Sequence, residues 1–203
     1  MATYNFPHHA TVADLTTMMV RKFREALQQI APDRLDPLTP GTPLRSEVTL
    51  ASLVEAETPK PDERPLVAGV YINRLRKNML LQCDPTVIYA LKQTEAYHPP
   101  LLLKDLRYPS PYNTYLHPGL PPGPIGNPGL ASLKAALNPA TTDYLYFVAN
   151  TQGGHFFAAT LAEHNQNVAQ YHRLLNGAPA DPPAAEPHSV HAHAAVPGHK
   201  GKR

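Results

Sequence analysis

The chain has one cysteine, Cys83, no tryptophan, and a net charge of only +2 over 203 residues. A single thiol excludes an internal disulfide and reads as a small buried hydrophobe. So small a charge gives no electrostatic case for nucleic acid or an anionic membrane surface as a partner. No apolar run is long enough to span a bilayer and no signal peptide opens the chain. As given, it reads as a soluble chain with enough length for one real core. Also missing are a P-loop, a dinucleotide glycine fingerprint, HExxH, paired zinc cysteines and a serine nucleophile elbow. The chemistry left is that of carboxylates, amides, hydroxyls and tyrosines. Carbohydrate enzymes use that set, and so do glycan-binding modules without activity.

Proline is abundant instead, at 24 residues, and it punctuates the chain. Residues 1–9 read as extended. A helix starts near Thr11 or Asp14, repeats Leu15, Met18, Met19, Phe23, Ala26, Leu27 and Ile30 on one side, and stops at Pro32. Residues 33–43 are a proline-rich linker. The next helix, Leu44 to Thr58, ends in two acids. At about 100° per residue, Glu57 falls within roughly 60° of Ser46, Leu50, Leu53 and Val54, whereas Glu55 points about 160° away beside Val48, Ala51 and Ser52. The two acids therefore do not form a pair. Glu57 continues the large apolar face, where burial would raise its pKa.

A third helix, Asp62 to Lys77, is apolar nearly all round, which predicts a central position. Asp62 is its expected N-cap. Met79–Cys83 reads as a short strand or extended segment. Asp84 then caps a short helix with Pro85 in its first turn. Residues 92–106 are a loop. The block Ser110–Tyr115 and Gly119–Gly129 is too rich in glycine and proline for a regular element; a rigid, aromatic-flanked loop of this kind suits a sugar or forms a surface Ω-loop. A helix over Leu130–Leu137, a strand over Asp143–Ala149, a turn, a returning strand from His155 and a helix over Leu161–Leu175 complete the pattern. His155 reads as a structural or a site histidine. From Asn176 onward the composition is that of a disordered tail, whose His188, His191, His193 and His199 make no specific metal site. The fold class is α+β: a helix-dominated domain over residues 1–175 with a lysozyme-like cleft and a small β hairpin.

Long motifs in one order carry a resemblance. They are Leu50–Thr58, Glu63–Leu75, Leu81–Tyr89, Tyr112–Tyr115, Gly119–Ile125, Tyr144–Ala149 with Gly153–His155, and Glu163–Asn165. Over residues 3–175 the chain resembles the catalytic domain of the YceG-like family, the endolytic murein transglycosylases. The resemblance implies a lytic transglycosylase that cuts the MurNAc–GlcNAc bond within peptidoglycan strands and leaves 1,6-anhydro-MurNAc. It places the catalytic acid at Glu57, the second glutamate of its Glu-x-Glu-Thr motif. Gln82, Tyr112, Asn113, Tyr115 and Glu55 are the candidate substrate-binding residues, on the grounds of their chemistry. No metal and no cofactor is expected. Family sequences have also been labelled aminodeoxychorismate lyase, but no lysine here sits in an apolar element fit to carry pyridoxal phosphate.

Three departures from the family accompany this reading. Its usual N-terminal membrane helix and LysM-like subdomain are not in this sequence. Cys83 stands where a hydroxyl residue is usual, and the tail has no counterpart. The resemblance implies an extracytoplasmic location at the inner membrane, any attachment lying in a segment outside this chain. It also implies peptidoglycan synthases as possible partners. A non-catalytic peptidoglycan-binding or scaffold module is the alternative.

Overall fold

The computed structural model of the chain describes residues 8–32 and 44–177. The readings of an extended start, a linker over residues 33–43 and a tail beyond residue 177 lie outside those residues. Among the described residues six α-helices and one hairpin follow in order: α1 Val12–Ile30, α2 Leu44–Glu57, α3 Arg64–Arg76, α4 Asp84–Gln93, α5 Leu130–Leu137, β1 Tyr146–Ala149, β2 His155–Ala158 and α6 Leu161–Leu175. A 3-10 turn, Asp105–Arg107, lies between α4 and α5. The class is α+β, dominated by helix.

Helix α2 is the hub. Thr49 through Val54 are all buried, so it is enclosed on every side rather than on one face. It packs against α5, α3 and α4. The core joins Leu50, Leu53 and Val54 of α2 to Val67, Ala68 and Tyr71 of α3, to Leu133, Ala135 and Ala136 of α5, and to Leu81 and Cys83. Gly69 makes the closest approach possible: a Cβ there would stand 2.6 Å from the Ala140 carbonyl oxygen.

The polar residues of α3 serve its neighbours. The Arg74 guanidinium, 9 % exposed, donates to the Leu145 carbonyl at 2.6 Å, the Leu81 carbonyl at 2.9 Å and the Leu80 carbonyl at 3.2 Å. The Asn73 amide donates to the Thr142 and Tyr144 carbonyls at 2.7 and 3.0 Å. These bonds hold the approach to β1 against α3. The strand expected from Asp143 therefore pairs only from Tyr146, with Tyr146 opposite Ala158 and Ala149 opposite His155 in antiparallel register.

Four local expectations differ from the structure. Asp62 caps nothing: Glu63 stands at the N-cap of α3, in helical conformation and without a side-chain capping bond. Asp84 is the first residue of α4, with Cys83 at its N-cap. Met79–Cys83 forms no strand, because Gln82 turns to φ +51° and the segment finds no ladder partner. On α1, Leu15 and Met19 remain 41 % and 46 % exposed. That helix is about 28 Å long while α5, on which it packs, is about 12 Å long, so only its second half can be covered.

Candidate active site

Glu57 closes α2, and its side chain turns toward α3 and the segment that enters α4. The Tyr71 hydroxyl donates to Glu57 Oε1 at 2.5 Å. Cys83, in the same core cluster as Tyr71, also favours the charged form of the carboxyl. Both partners are buried, at 1 % and 0 % exposure, while Glu57 keeps a partly exposed edge. Burial raises the Glu57 pKa. Tyr71 and Cys83 oppose the rise, the charge of Asp84 adds to it, and His155 opposes it. Desolvation wins, so the site presents a carboxylic acid with a strengthened hold on its proton and one open edge.

Glu55 lies on the other side of the helix end. It accepts from Ser132 Oγ at 2.7 Å and from the Gly129 backbone N–H at 3.1 Å, and Arg64 approaches at 3.5 Å. Partial burial raises its pKa, but the bonds from Ser132 and Gly129 and the charge of Arg64 outweigh that and the net shift is downward. It is an ionised tether between α2 and the start of α5. The two acids thus part toward separate partners, and Glu55 is not among the groups around Glu57.

The remaining candidates divide. Tyr115 joins the site: its hydroxyl donates to Asp84 Oδ1 at 2.5 Å, and burial together with that bond lifts its pKa well above the ordinary tyrosine range. Gln82 is exposed, and its carbonyl oxygen receives Arg74 Nη1 at 3.3 Å. Tyr112 packs its ring 4.8 Å from Tyr89, and a Cβ placed at Gly123 would stand 3.4 Å from its hydroxyl. Asn113, a candidate for substrate binding, lies inside its own loop. It is fully buried, its amide donates to the Leu106 and Tyr108 carbonyls at 3.0 and 2.8 Å, and its oxygen accepts from the Tyr115 N–H at 2.9 Å. Every polar atom of its side chain is used inside its own loop, which it holds in shape.

Sequence reasoning did not single out Tyr71, Asp84 or Glu63. Tyr71 counted as an apolar residue of α3, although a buried tyrosine hydroxyl needs a partner. Glu63 accepts from Thr58 Oγ1 at 3.3 Å and from the His155 backbone N–H at 3.0 Å, and sits 2.7 Å from His155 Nδ1. It ties the residue after Glu57 to the start of β2. A Cβ at Gly154 would collide with the Glu63 carboxylate, which would have to shift away. Among the described residues, no three of His, Cys, Asp and Glu stand where they could hold a metal ion.

The family model described as "YceG-like family" matches residues 1–170. The chain belongs to the YceG-like family. A curated relative from Bacillus subtilis, named endolytic murein transglycosylase, is 48 % identical over 124 residues, which is 61 % of this chain and 34 % of that protein. One from Streptococcus pneumoniae with the same name is 33 % identical over 174 residues, 84 % of this chain and 31 % of that protein. The crystal structure of a yceG-like protein from Listeria monocytogenes superposes with a TM-score of 0.64 at 39 % identity, covering 81 % of this chain and 52 % of that one. This YceG-like chain spans about a third of the length of the curated relatives it matches.

Proposed function

We propose that this chain is a lytic transglycosylase acting within peptidoglycan strands, with Glu57 as its acid and base. The observation that carries the reading is the setting of Glu57: a buried carboxyl, hydrogen-bonded by Tyr71 and raised in pKa by desolvation, with one edge open. A general acid at neutral pH needs that environment.

The reaction uses one carboxyl. Protonated Glu57 gives its proton to the glycosidic oxygen as the bond between MurNAc C1 and the GlcNAc O4 breaks. The carboxylate so formed takes the proton of the MurNAc 6-hydroxyl while that oxygen bonds to C1. The products are a 1,6-anhydro-MurNAc end and a free GlcNAc 4-hydroxyl, and no water is consumed. Because the sugar supplies the nucleophile, the second acid of an ordinary hydrolase is not required.

The names of the relatives support murein as substrate. An extracytoplasmic site of action follows from that substrate. Partnership with peptidoglycan synthases, whose nascent strands such a cut would shorten, belongs to the same proposal. Among the described residues no helix is long and apolar enough to cross a membrane.

The test is to incubate the chain, Glu57→Gln and Glu55→Gln with purified peptidoglycan and weigh the released muropeptides. The proposal expects anhydro products from the parent, none from Glu57→Gln, and retained cleavage in Glu55→Gln. Loss of cleavage in Glu55→Gln with retention in Glu57→Gln would reverse the assignment. Binding without cleavage by the parent would make the chain a glycan-binding module.

A further inference from the structure

Beside Glu57 stands a carboxylate that the one-acid reaction leaves without a role. Asp84 follows Cys83 directly, and Cys83 shares a core cluster with Tyr71, whose hydroxyl donates to Glu57. The aspartate is exposed, yet the backbone just before it is held by buried bonds. The Cys83 N–H donates to Thr114 Oγ1 at 2.9 Å, Thr86 Oγ1 to the Cys83 carbonyl at 2.6 Å, and the two threonine hydroxyls lie 2.9 Å apart. The Gln82 N–H donates to the Thr114 carbonyl at 3.1 Å. This lattice locks residues 82–86 to residues 113–115. It sets Tyr115 against Asp84, with 2.5 Å between hydroxyl and carboxylate. Asp84 is not the cap of α4, since Cys83 holds that position; its side chain is aimed by Tyr115 instead.

We propose that Asp84 is a second catalytic carboxylate, facing the sugar ring beside the bond that Glu57 cleaves and stabilising the positive charge that develops there, with Tyr115 as the positioning residue that fixes it. The inference rests on the reading of Glu57 as the acid. The transition state of glycosidic cleavage is oxocarbenium-like, with positive charge spread over C1 and the ring oxygen. A fixed carboxylate needs no reorganisation to meet that charge and is worth more than a mobile one. Asp84 forms no bond to the sugar, since the 6-hydroxyl closes on C1. Its one-sided bond to Tyr115 orients it, and its exposed edge is left for the substrate.

The same placement makes Asp84 act on Glu57. The groups whose charge or bonding acts on Glu57 are Tyr71 and Arg74 from α3, Cys83 and Asp84 at the start of α4, Tyr115 from the following loop and His155 from β2. Of these, Asp84 is the negative charge, and it helps Glu57 keep its proton. Removing it must therefore lower both transition-state stabilisation and the Glu57 pKa.

The experiment uses the full chain, its Asp84→Asn and Tyr115→Phe variants, and soluble uncrosslinked glycan strands. Initial rates give kcat and KM, and carboxyl carbon NMR follows Glu57 with pH in the absence of substrate. Asp84→Asn should lose about a hundredfold in kcat, with KM within about threefold and the Glu57 titration moved to lower pH. Tyr115→Phe should lose about tenfold in kcat, since its carboxylate remains but is no longer fixed. A kcat for Asp84→Asn within threefold of the parent, a loss confined to KM, or an unmoved Glu57 titration would each overturn the proposal. If the parent releases no anhydro ends, the reading of Glu57 fails and takes this one with it. If the parent is active and Asp84→Asn equally so, only the role of Asp84 fails.

Discussion

At the scale of single residues, the chemistry of Glu57 is set by what surrounds its carboxyl, and each neighbour pushes in a stated direction. Desolvation raises its pKa and the Tyr71 hydroxyl lowers it by stabilising the carboxylate. Activity should therefore fall on the alkaline side as pH rises through the Glu57 pKa. In Tyr71→Phe that limb should move to higher pH, with a drop in kcat of about tenfold because the acid is held less firmly; a pH–rate profile checks both. The same burial has a consequence for stability. A carboxyl whose folded pKa lies above its unfolded value contributes stability that is fully present below the unfolded pKa and is lost as pH rises through the folded one. Glu57→Gln removes that loss. It should match the parent in thermal unfolding at pH 4 and exceed it at pH 8, and an equal Tm difference at both pH values would contradict the raised pKa. Removing an awkward group from an active site commonly stabilises the fold at the expense of activity.

At the scale of elements, α2 was legible from its spacing. The same 100° steps that separate Glu55 from Glu57 send one to Ser132 of α5 and the other to Tyr71 of α3. The caps of α3 and α4 were not legible, because Asp62 and Asp84 have the right residue type one position away from the cap. Nor was the use of Asn113: composition marks a rigid polar loop, but not whether the amide faces out or, as here, in toward the Leu106 and Tyr108 carbonyls. Of the two readings of Met79–Cys83, a short strand or an extended segment, the strand does not form, because a strand needs a partner and Arg74 takes the Leu80 and Leu81 carbonyls instead. That arginine joins α3, the segment before β1 and the segment before α4. Arg74→Met leaves the buried carbonyls without donors and should destabilise by about 3 kcal/mol, since each unsatisfied buried group costs about 1–3 kcal/mol; urea unfolding measures it. Gly69→Ala, forced against the Ala140 carbonyl oxygen, should cost about 1–3 kcal/mol by the same measurement.

At the scale of the whole molecule, the acid stands where three parts of the chain meet. Helix α2 delivers Glu57, α3 delivers Tyr71, and the locked pair of segments 82–86 and 113–115 brings Cys83, Asp84 and Tyr115. The hairpin is tied in from the other side, through Glu63 and His155. The family was legible in the sequence because these segments are the long motifs. The geometry around Asp84 was not, since its bond to Tyr115 closes across 31 positions. The central claim is that Glu57 cuts the glycan with the sugar's own hydroxyl as nucleophile. The most direct measurement is digestion of purified peptidoglycan in water enriched in oxygen-18, with mass analysis of the new MurNAc ends. The account predicts ends lighter than a reducing sugar by one water, free of label, and absent with Glu57→Gln. Reducing ends carrying the heavy oxygen would contradict it, because water rather than the 6-hydroxyl would then have attacked.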